Sequence, residues 1–274
     1  MIDYERIRSF YDTARSDLLD DPDFLRGTVE SSVGVARFRF RAEARHLRHV
    51  VRVLRGESVL DLGGGTGRWS LWFAEQGARV TMVELAPSLV AGAQRNAARR
   101  GLSVECLVGS ILAPPVQARR FDLIHIGGVL VYINDDDLPR LCEVLREHTK
   151  PGARLVIREP VDPNGPSVDA REGGYRALFR RPEVYAALFA PDWQLQYERT
   201  TVSHLVPRGR STLSVAKAAQ SSVLKRKLVD TVLPWVGYVD YQLLQVEERL
   251  RSSPAAALLG DAGVVQHFYV FQRR

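Results

Sequence analysis

The stretch that decides the fold reads Val59-Leu60-Asp61-Leu62-Gly63-Gly64-Gly65-Thr66-Gly67. Its first part is an apolar run typical of a buried strand, and glycine then occupies every second position from Gly63 to Gly67. Glycines at a turn from a strand to a helix let the backbone approach a ligand more closely than any side chain would permit. The stretch therefore predicts a strand, a ligand-binding turn and a helix, in that order.

Two acidic residues accompany this turn. Asp61 precedes the glycines, and Glu84 ends the next predicted strand. An acidic side chain at the end of that strand can accept hydrogen bonds from both ribose hydroxyls of a nucleoside. The pattern therefore favours a nucleoside-containing ligand over a tight turn that binds nothing.

Strands and helices alternate along the chain from Glu57 onward, which predicts a parallel sheet with helices on both faces. The predicted strands are 58–62, 79–84, 103–108, 121–126 and 154–158. The predicted helices between them are 68–76, 88–100 and 135–148, and glycines or Lys150-Pro151-Gly152 end them. A polar loop is predicted at 159–166, a short helix at 182–189, and two last strands at 194–202 and 264–271.

Composition restricts the classes of function. The chain has 274 residues, of which 45% are hydrophobic and 26% charged, as in ordinary globular proteins. The net charge of +6 would suit nucleic acid, but the basic residues are scattered and interleaved with acids. Cys106 and Cys142 lack CxxC spacing, which argues against a disulfide framework and a metal site. We predict a cytoplasmic protein with no metal and no membrane partner, and the scattered charge disfavours a nucleic-acid partner.

The chain resembles the class I S-adenosylmethionine-dependent methyltransferases of the small-molecule type. The resemblance covers residues 53–160 and rests on the Asp61-to-Gly67 loop, Glu84-Leu85, Phe121-Asp122 and the segment 145–157. It implies a Rossmann-like, doubly wound sheet of seven strands with the last strand antiparallel, and S-adenosyl-L-methionine as the cofactor. An alternative stays open: a protein that binds this cofactor without methyl transfer, for a rearrangement, a cyclisation or scaffolding. A third hypothesis is an RNA methyltransferase. It is disfavoured because the predicted strand 121–126 lacks the Asn/Asp-Pro-Pro-aromatic run with which many enzymes methylate exocyclic amines of bases.

The resemblance also implies which residues hold the cofactor. Asp61 and the glycines would contact its methionine end, Glu84 its ribose, and Leu85 its adenine. Ser110 stands where many family members have an aspartate that accepts the adenine amino group. Tyr11 is predicted to cover the cofactor as a lid residue, since aromatic faces suit a sulfonium cation. The complete predicted set is Tyr11, Asp61, Gly63, Gly64, Gly65, Gly67, Glu84, Leu85, Ser110, Ile111, Ile126 and Gly127.

The catalytic residues are less well defined than the cofactor. Methyl transfer from a sulfonium is an in-line displacement, so alignment supplies much of the catalysis and a base is needed only for a protonated nucleophile. The two candidates are Tyr132, which would orient the acceptor, and Glu159, which ends a strand. Tyr132 could instead be a ring that packs under the next helix. Glu159 could instead be a loop carboxylate paired with Arg158 or Arg180.

Other polar residues are predicted to have structural roles. His125 is expected to be a core histidine bonded to the backbone. His46 and His49 are expected at the surface, and Arg180-Arg181 in a solvated basic turn.

The chain divides into three predicted parts. Residues 1–55 form a helical N-terminal cap, residues 56–204 and 263–274 the cofactor-binding core, and residues 205–262 an inserted helical element. About sixty residues separate the last two strands, far more than a hairpin needs. Because this insertion is large and apolar, it is predicted to be a lid over a mid-sized acceptor or a homodimer contact. The predicted reaction is methyl transfer to an oxygen or nitrogen, less readily a carbon, of a small molecule in specialised metabolism.

Overall fold

The computed structural model describes residues 1–14, 33–170, 176–200 and 264–274 of the chain. Its strands are β1 (Ser58–Leu62), β2 (Arg79–Glu84), β3 (Val104–Val108), β4 (Phe121–Gly127), β5 (Thr149–Val161), β6 (Ser167–Ala170), β7 (Arg176–Phe179), β8 (Trp193–Thr200) and β9 (Val265–Arg273). Its helices are α1 (Tyr4–Ser9), α2 (Val33–Val50), α3 (Arg68–Glu75), α4 (Pro87–Arg99), α5 (Leu138–Glu147) and α6 (Pro182–Phe189).

Within the described residues, seven strands form one sheet in the order β3-β2-β1-β4-β5-β9-β8. The strands β1 to β5 pair in parallel, and β9 runs antiparallel to both of its neighbours. The predicted fold, a doubly wound sheet with its last strand antiparallel, is confirmed. The order reverses between β1 and β4, so a crevice forms outside their carboxyl ends, where ligands bind in sheets of this kind.

Burial on both faces explains why the central strands are almost wholly apolar. On one face, residues such as Leu60, Ile124 and Leu155 pack against α5 and α6. On the other face, Val59, Leu123 and Val156 pack with Trp72 and Phe73 of α3 and with Leu47 of α2. The sheet is therefore held rigidly between two helical layers, and its carboxyl edge provides a fixed base for a site.

Several boundaries differ from the predicted ones. Within the predicted helical cap, the sequence predicts a helix over 42–54, preceded by a short amphipathic segment at 37–41. Helix α2 instead runs from Val33 to Val50, so 37–41 is part of the helix. Strand β5 runs from Thr149 to Val161 and takes in the predicted turn 150–152 and part of the predicted loop. The β6–β7 hairpin was not predicted, and α5 begins at Leu138 after a 3₁₀ turn. The predicted insertion 205–262 lies outside the described residues, and the division into three parts stays a prediction.

Helix α2 buries a histidine that the sequence places at the surface. His46 is buried, and its Nε2 forms a hydrogen bond of 2.8 Å with the Tyr197 hydroxyl of β8. Burial lowers the pKa of His46 to about 4, with a further contribution from the Arg199 charge, so the ring is neutral at pH 7. The prediction was wrong because β8, which covers His46, comes from a distant part of the chain. His49 is exposed, as predicted.

Among the described helices, none is both long and apolar enough to cross a membrane.

Candidate active site

The glycine-rich turn lies at the carboxyl end of β1, where the strand order reverses. Its backbone is anchored to β2, because the Gly63 amide donates to the Val83 carbonyl at 2.7 Å. Gly63, Gly65 and Gly67 all have positive φ angles of 75°, 58° and 89°, a region that side-chain-bearing residues rarely adopt. A Cβ at Gly63 would lie 2.3 Å from a Val129 methyl carbon, whereas a Cβ at Gly65 would meet nothing within 4 Å. The space beside the turn is therefore filled by Val129 at Gly63 and is free at Gly65.

Glu84 lies directly beside this turn. Its Oε2 accepts a hydrogen bond of 3.0 Å from the Gly65 amide, and its Oε1 accepts one of 3.0 Å from the Ala86 amide. Burial raises the pKa of the Glu84 carboxyl, while these backbone amides oppose the rise. The carboxylate thus lies at the open part of the turn, at the position where the resemblance places the ribose.

The segment after β3 lies next to Glu84. The Gly109 amide donates to the Glu84 carbonyl at 2.9 Å, and the Ser110 hydroxyl accepts a hydrogen bond from the Leu112 amide at 3.1 Å. The side chain of Ile111 packs into the core below the sheet edge, and so does that of Ile126 in β4. These two residues can therefore offer the site their backbone but not their side chains. Leu85 is partly exposed at the same edge.

The carboxylate of Asp61 is bonded to other residues through both of its oxygens. Its Oδ2 accepts a hydrogen bond of 2.5 Å from the Ser70 hydroxyl of α3, and its Oδ1 lies 2.8 Å from Nδ1 of His125. Both Asp61 and His125 are about 1% exposed. They are register partners on neighbouring strands, so both side chains point to the face that α3 covers. The predicted contact of Asp61 with the methionine end, in part through its backbone, stays a prediction, whereas His125 binds a carboxylate instead of the backbone as predicted.

The N-terminal residues lie across the crevice. Ile2 donates its amide to Asn134 at 2.6 Å, and the Tyr4 hydroxyl donates to Asp137 in the same region after β4. On the other side, the amide of Ser88 at the start of α4 donates to Asp12 at 2.7 Å. Residues 1–14 thus connect the segments that follow β2 and β4, as a cover over a site between them would.

Tyr11 of this cover contacts Tyr132 of the segment that follows β4. Their hydroxyl oxygens are 3.1 Å apart, and their rings pack edge to face with centroids 6.1 Å apart. Tyr11 is buried and Tyr132 is partly exposed. The structure therefore brings together the predicted lid residue and one of the two predicted catalytic residues, which are 121 positions apart in the sequence.

We expect Tyr132→Phe to weaken the contact between residues 1–14 and the segment that follows β4. The change removes one hydroxyl–hydroxyl contact, so the free energy of unfolding should fall by about 1 kcal/mol, as for a typical side-chain hydrogen bond. Urea unfolding of Tyr132→Phe, Tyr11→Phe and the double variant measures this. The coupling energy from that cycle should be about 1 kcal/mol, whereas strictly additive effects would show that the two hydroxyls do not interact.

Glu159 lies beneath the segment that follows β4. It is fully buried, and its Oε1 accepts hydrogen bonds from the amides of Val129 and Leu130 at 2.8 and 3.0 Å. Its Oε2 has no hydrogen-bond partner among the described residues. Burial raises the pKa of this carboxyl to about 7, although the two amides oppose the rise. Glu159 therefore positions the turn that carries Tyr132, and its catalytic role stays a prediction.

The raised pKa of Glu159 makes stability depend on pH. A carboxyl that titrates near 7 when folded, and near its usual value when unfolded, stabilises the folded state below the unfolded pKa, and this contribution is lost as pH rises through 7. We expect this group to remove about 3 kcal/mol at most between pH 4.5 and 8. Urea unfolding across that range measures the effect, and Glu159→Gln should flatten the dependence. Parallel curves for the two proteins would show that Glu159 does not titrate there.

Arg180 holds the same turn from its other side. Its guanidinium donates to the carbonyls of Leu130 and Ile133 at 2.8 and 2.6 Å and to Asp135 at 2.8 Å. The residue is only 2% exposed, so the predicted solvated basic turn is wrong for Arg180, although Arg181 is exposed. Nothing in the sequence marks Arg180 as buried, because its carbonyl partners are supplied by a segment that is near only in the folded chain.

Comparison with known proteins agrees with this geometry. A family model for a methyltransferase domain matches residues 59–152. Residues 59–152 are thus similar to a methyltransferase domain. The match begins in β1, includes the glycine turn and Glu84, and ends at Gly152 in β5.

The sequence relatives match this chain only over part of its length. The demethylmenaquinone methyltransferase of Thermobifida fusca (strain YX) is 40% identical over 115 residues, which are 39% of this chain and 47% of the relative. A ubiquinone biosynthesis O-methyltransferase of Methylocella silvestris is 35% identical over 88 residues, 32% of this chain and 34% of the relative. The chain thus spans about half the length of the first relative and about a third of the second.

Solved structures extend the likeness to most of the chain. The (4+2)-cyclase SpnF superposes with a TM-score of 0.64 at 18% identity, covering 97% of this chain and 95% of that one. A 1,6-didemethyltoxoflavin-N1-methyltransferase from Burkholderia thailandensis superposes with a TM-score of 0.56 at 18% identity, covering 98% and 88%. At such identities the likeness establishes the fold alone.

Proposed function

We propose that this protein transfers the methyl group of S-adenosyl-L-methionine to an oxygen or nitrogen of a mid-sized small molecule. The observation that carries the proposal is the open glycine turn at Gly65 with the Glu84 carboxylate against it, at the point where the strand order reverses. A ligand with a ribose and an amino-acid end fits this arrangement, because Glu84 accepts hydroxyl hydrogen bonds and the turn leaves room for backbone contact. When bound, this cofactor supplies an activated methyl group on a sulfonium.

The chain's own residues would bind and align the reactants. Glu84 would accept hydrogen bonds from the ribose, while Leu85 and the backbone of 109–111 would flank the adenine. Gly127 would leave room beside β4 for the acceptor to approach. Since the displacement is in line, this alignment supplies much of the rate. Tyr132 would orient the acceptor through its hydroxyl, and Glu159 would hold the turn that carries Tyr132.

The class of acceptor is proposed from the aromatic residues of the cover and from the names of the sequence relatives. The crevice is closed by Tyr11 and Tyr132, so an aromatic or partly apolar acceptor would find rings to pack on. Two relatives are named for demethylmenaquinone and for ubiquinone biosynthesis, which makes quinone precursors and other phenols the first compounds to examine. We also propose a role in specialised metabolism, a cytoplasmic location and a homodimer. Identification of the acceptor would test the first, and a measurement of the oligomeric state would test the last.

Calorimetric titration of the purified chain with S-adenosylmethionine and with S-adenosylhomocysteine tests the proposal. We expect both to bind, and mass spectrometry should then detect the gain of one methylene unit in a phenolic or amine acceptor. Binding of neither compound to folded protein would refute the proposed function. Binding of both with no methylated product across a broad acceptor panel would favour a protein that uses the cofactor without transferring its methyl group.

A further inference from the structure

The outer face of α2 carries a line of arginines. Arg41, Arg45 and Arg48 are all exposed, and their spacing of four and three residues places them on one face of the helix. They extend over about 10 Å along the helix axis. Arg52, which is also exposed, follows the last turn of the helix. These four residues are called the arginine stripe below.

No acidic residue of α2 balances the arginine stripe. Glu43 is the one acidic residue in this helix, and it is buried in an ion pair with Arg158 at 2.8 Å. The next acidic residue along the chain, Glu57, pairs with Arg154 at 2.6 Å. None of the four arginines forms an ion pair in the part of the chain that the structure describes. The stripe therefore presents positive charge that its own helix does not compensate.

The helix explains why the sequence did not reveal the arginine stripe. Along the chain the arginines alternate with apolar residues and with Glu43, so the charge looks scattered. In the folded protein, apolar residues such as Ala44 and Leu47 pack into the core, and the same turn of helix leaves the arginines outside. Positive charge that is dispersed in the sequence is thus concentrated on one surface.

A membrane surface with anionic phospholipids has the chemistry that matches the arginine stripe. A guanidinium binds phosphate with two parallel hydrogen bonds, and each basic residue close to an anionic bilayer strengthens the association. A straight line of side chains on an outer helix can contact a flat surface that has no complementary shape. Leu54, two residues beyond Arg52, is 50% exposed and supplies an apolar side chain for the interfacial region.

Single-stranded nucleic acid matches the arginine stripe less well. Such binding combines basic residues with aromatic side chains on which bases stack. Phe40 is the aromatic residue of α2 whose side chain the structure describes, and its ring packs on Trp69 with centroids 5.0 Å apart. No large aromatic side chain is exposed among the described residues. Stacking therefore has no platform beside the stripe.

The arginine stripe begins next to the crevice. Arg41 follows Phe40, which packs on Trp69. The Cδ1 atom of Trp69 would lie 3.6 Å from a Cβ at Gly127, the residue that ends β4 at the crevice. A membrane bound along the stripe therefore lies beside the crevice. A partly apolar acceptor, as proposed above, favours a bilayer over water.

We propose that the arginine stripe docks this protein reversibly on a membrane surface that contains anionic phospholipids. The inference goes beyond the proposed function, because docking requires neither the cofactor nor an acceptor. It revises the prediction of no membrane partner. That prediction rested on the lack of a long apolar segment, which has no bearing on a surface contact through charged side chains.

Sedimentation with lipid vesicles tests the inference. We expect the protein to sediment with vesicles of equal parts phosphatidylcholine and phosphatidylglycerol, not with phosphatidylcholine alone, and to be released by added salt. The triple variant Arg41→Gln, Arg45→Gln, Arg48→Gln should bind the anionic vesicles about a hundredfold more weakly, since each arginine contributes about fivefold. Glutamine is a good helix former, so α2 should remain folded.

The matched control is the triple variant Arg95→Gln, Arg99→Gln, Arg120→Gln, which removes the same charge from exposed positions. Arg95 and Arg99 lie on α4, which packs on β2 and β3, whereas α2 packs on β8 and β9 at the other end of the sheet. We expect this variant to lose less than about threefold in vesicle binding, because charges distant from the contact are screened.

The outcomes are distinct. Failure of the wild-type protein to bind the anionic vesicles, or equal loss in both triple variants, would overturn the inference. Tighter binding of polyuridylate or polyglutamate than of vesicles, at equal negative charge, would also overturn it, in favour of a nucleic acid or an acidic protein. Calorimetry with S-adenosylhomocysteine decides the proposed function separately, and both triple variants should bind that ligand as the wild type does.

A measurement on the wild-type protein decides if the α2 variant does not fold. Phenylglyoxal modifies exposed arginines, and mass spectrometry locates the modified positions. Anionic vesicles should protect the arginine stripe and leave Arg95 and Arg99 reactive. Equal reactivity of both sets in the presence of vesicles would overturn the inference.

Discussion

Glu84→Ala is expected to weaken binding of S-adenosylmethionine by about two orders of magnitude, or about 2.7 kcal/mol. The change removes the carboxylate that we propose as the acceptor of two ribose hydroxyl hydrogen bonds, and bonds to a charged group contribute about 1.5–3 kcal/mol each. The net loss is smaller than their sum, because in the free protein the same oxygens already accept from Gly65 and Ala86 at 3.0 Å. Those bonds must be kept or exchanged when ligand binds.

Calorimetry with S-adenosylhomocysteine measures this loss, and Glu105→Ala is the matched control. Glu105 is an exposed glutamate on the neighbouring strand β3, paired with Arg119 at 2.6 Å, so its removal should leave affinity unchanged. Thermal unfolding of both variants checks that the turn remains folded. Wild-type affinity in a folded Glu84→Ala variant would mean that the ligand site has been assigned to the wrong edge of the sheet.

The sheet could be predicted because each of its central strands has a local sequence pattern. Buried parallel strands are short apolar runs, and Gly77 and Gly101 mark where the intervening helices end. The turn and Glu84 were equally visible, since their role depends on backbone conformation and on position at a strand end. The hairpin β6–β7 was not visible, because its strands are short and lie in a stretch with many loop-forming residues.

The polar interior of the site depends on pairings that no local pattern contains. Asp61 and His125 are 64 positions apart and meet only because β1 and β4 pair in one register. A shift of that register by one residue would point the two side chains to opposite faces. His46 and Arg180 illustrate the same limit, since each is buried by partners from remote segments. Residue type alone would place both at the surface.

The second large effect is expected from Arg180→Met. Methionine approximately fills the volume of the arginine stem, so the main loss is of donors to the buried carbonyl of Ile133 and to that of Leu130. Leaving buried acceptors without donors costs about 1–3 kcal/mol each. We therefore expect the free energy of unfolding to fall by about 3 kcal/mol, part of the loss being spared because the Leu130 carbonyl also accepts from the Ile133 amide.

Arg181→Met separates this effect from a general loss of positive charge. Arg181 is the exposed neighbour and pairs with Glu183 at 3.5 Å across solvent, so its replacement should change stability by less than about 0.5 kcal/mol. Urea unfolding compares the two variants. Because Arg180 and Glu159 hold opposite sides of the turn that carries Tyr132, Arg180→Met should also weaken binding of S-adenosylhomocysteine. If Arg180→Met proves as stable as Arg181→Met, the turn is held by Glu159 and the N-terminal cover, and Arg180 contributes nothing to the site.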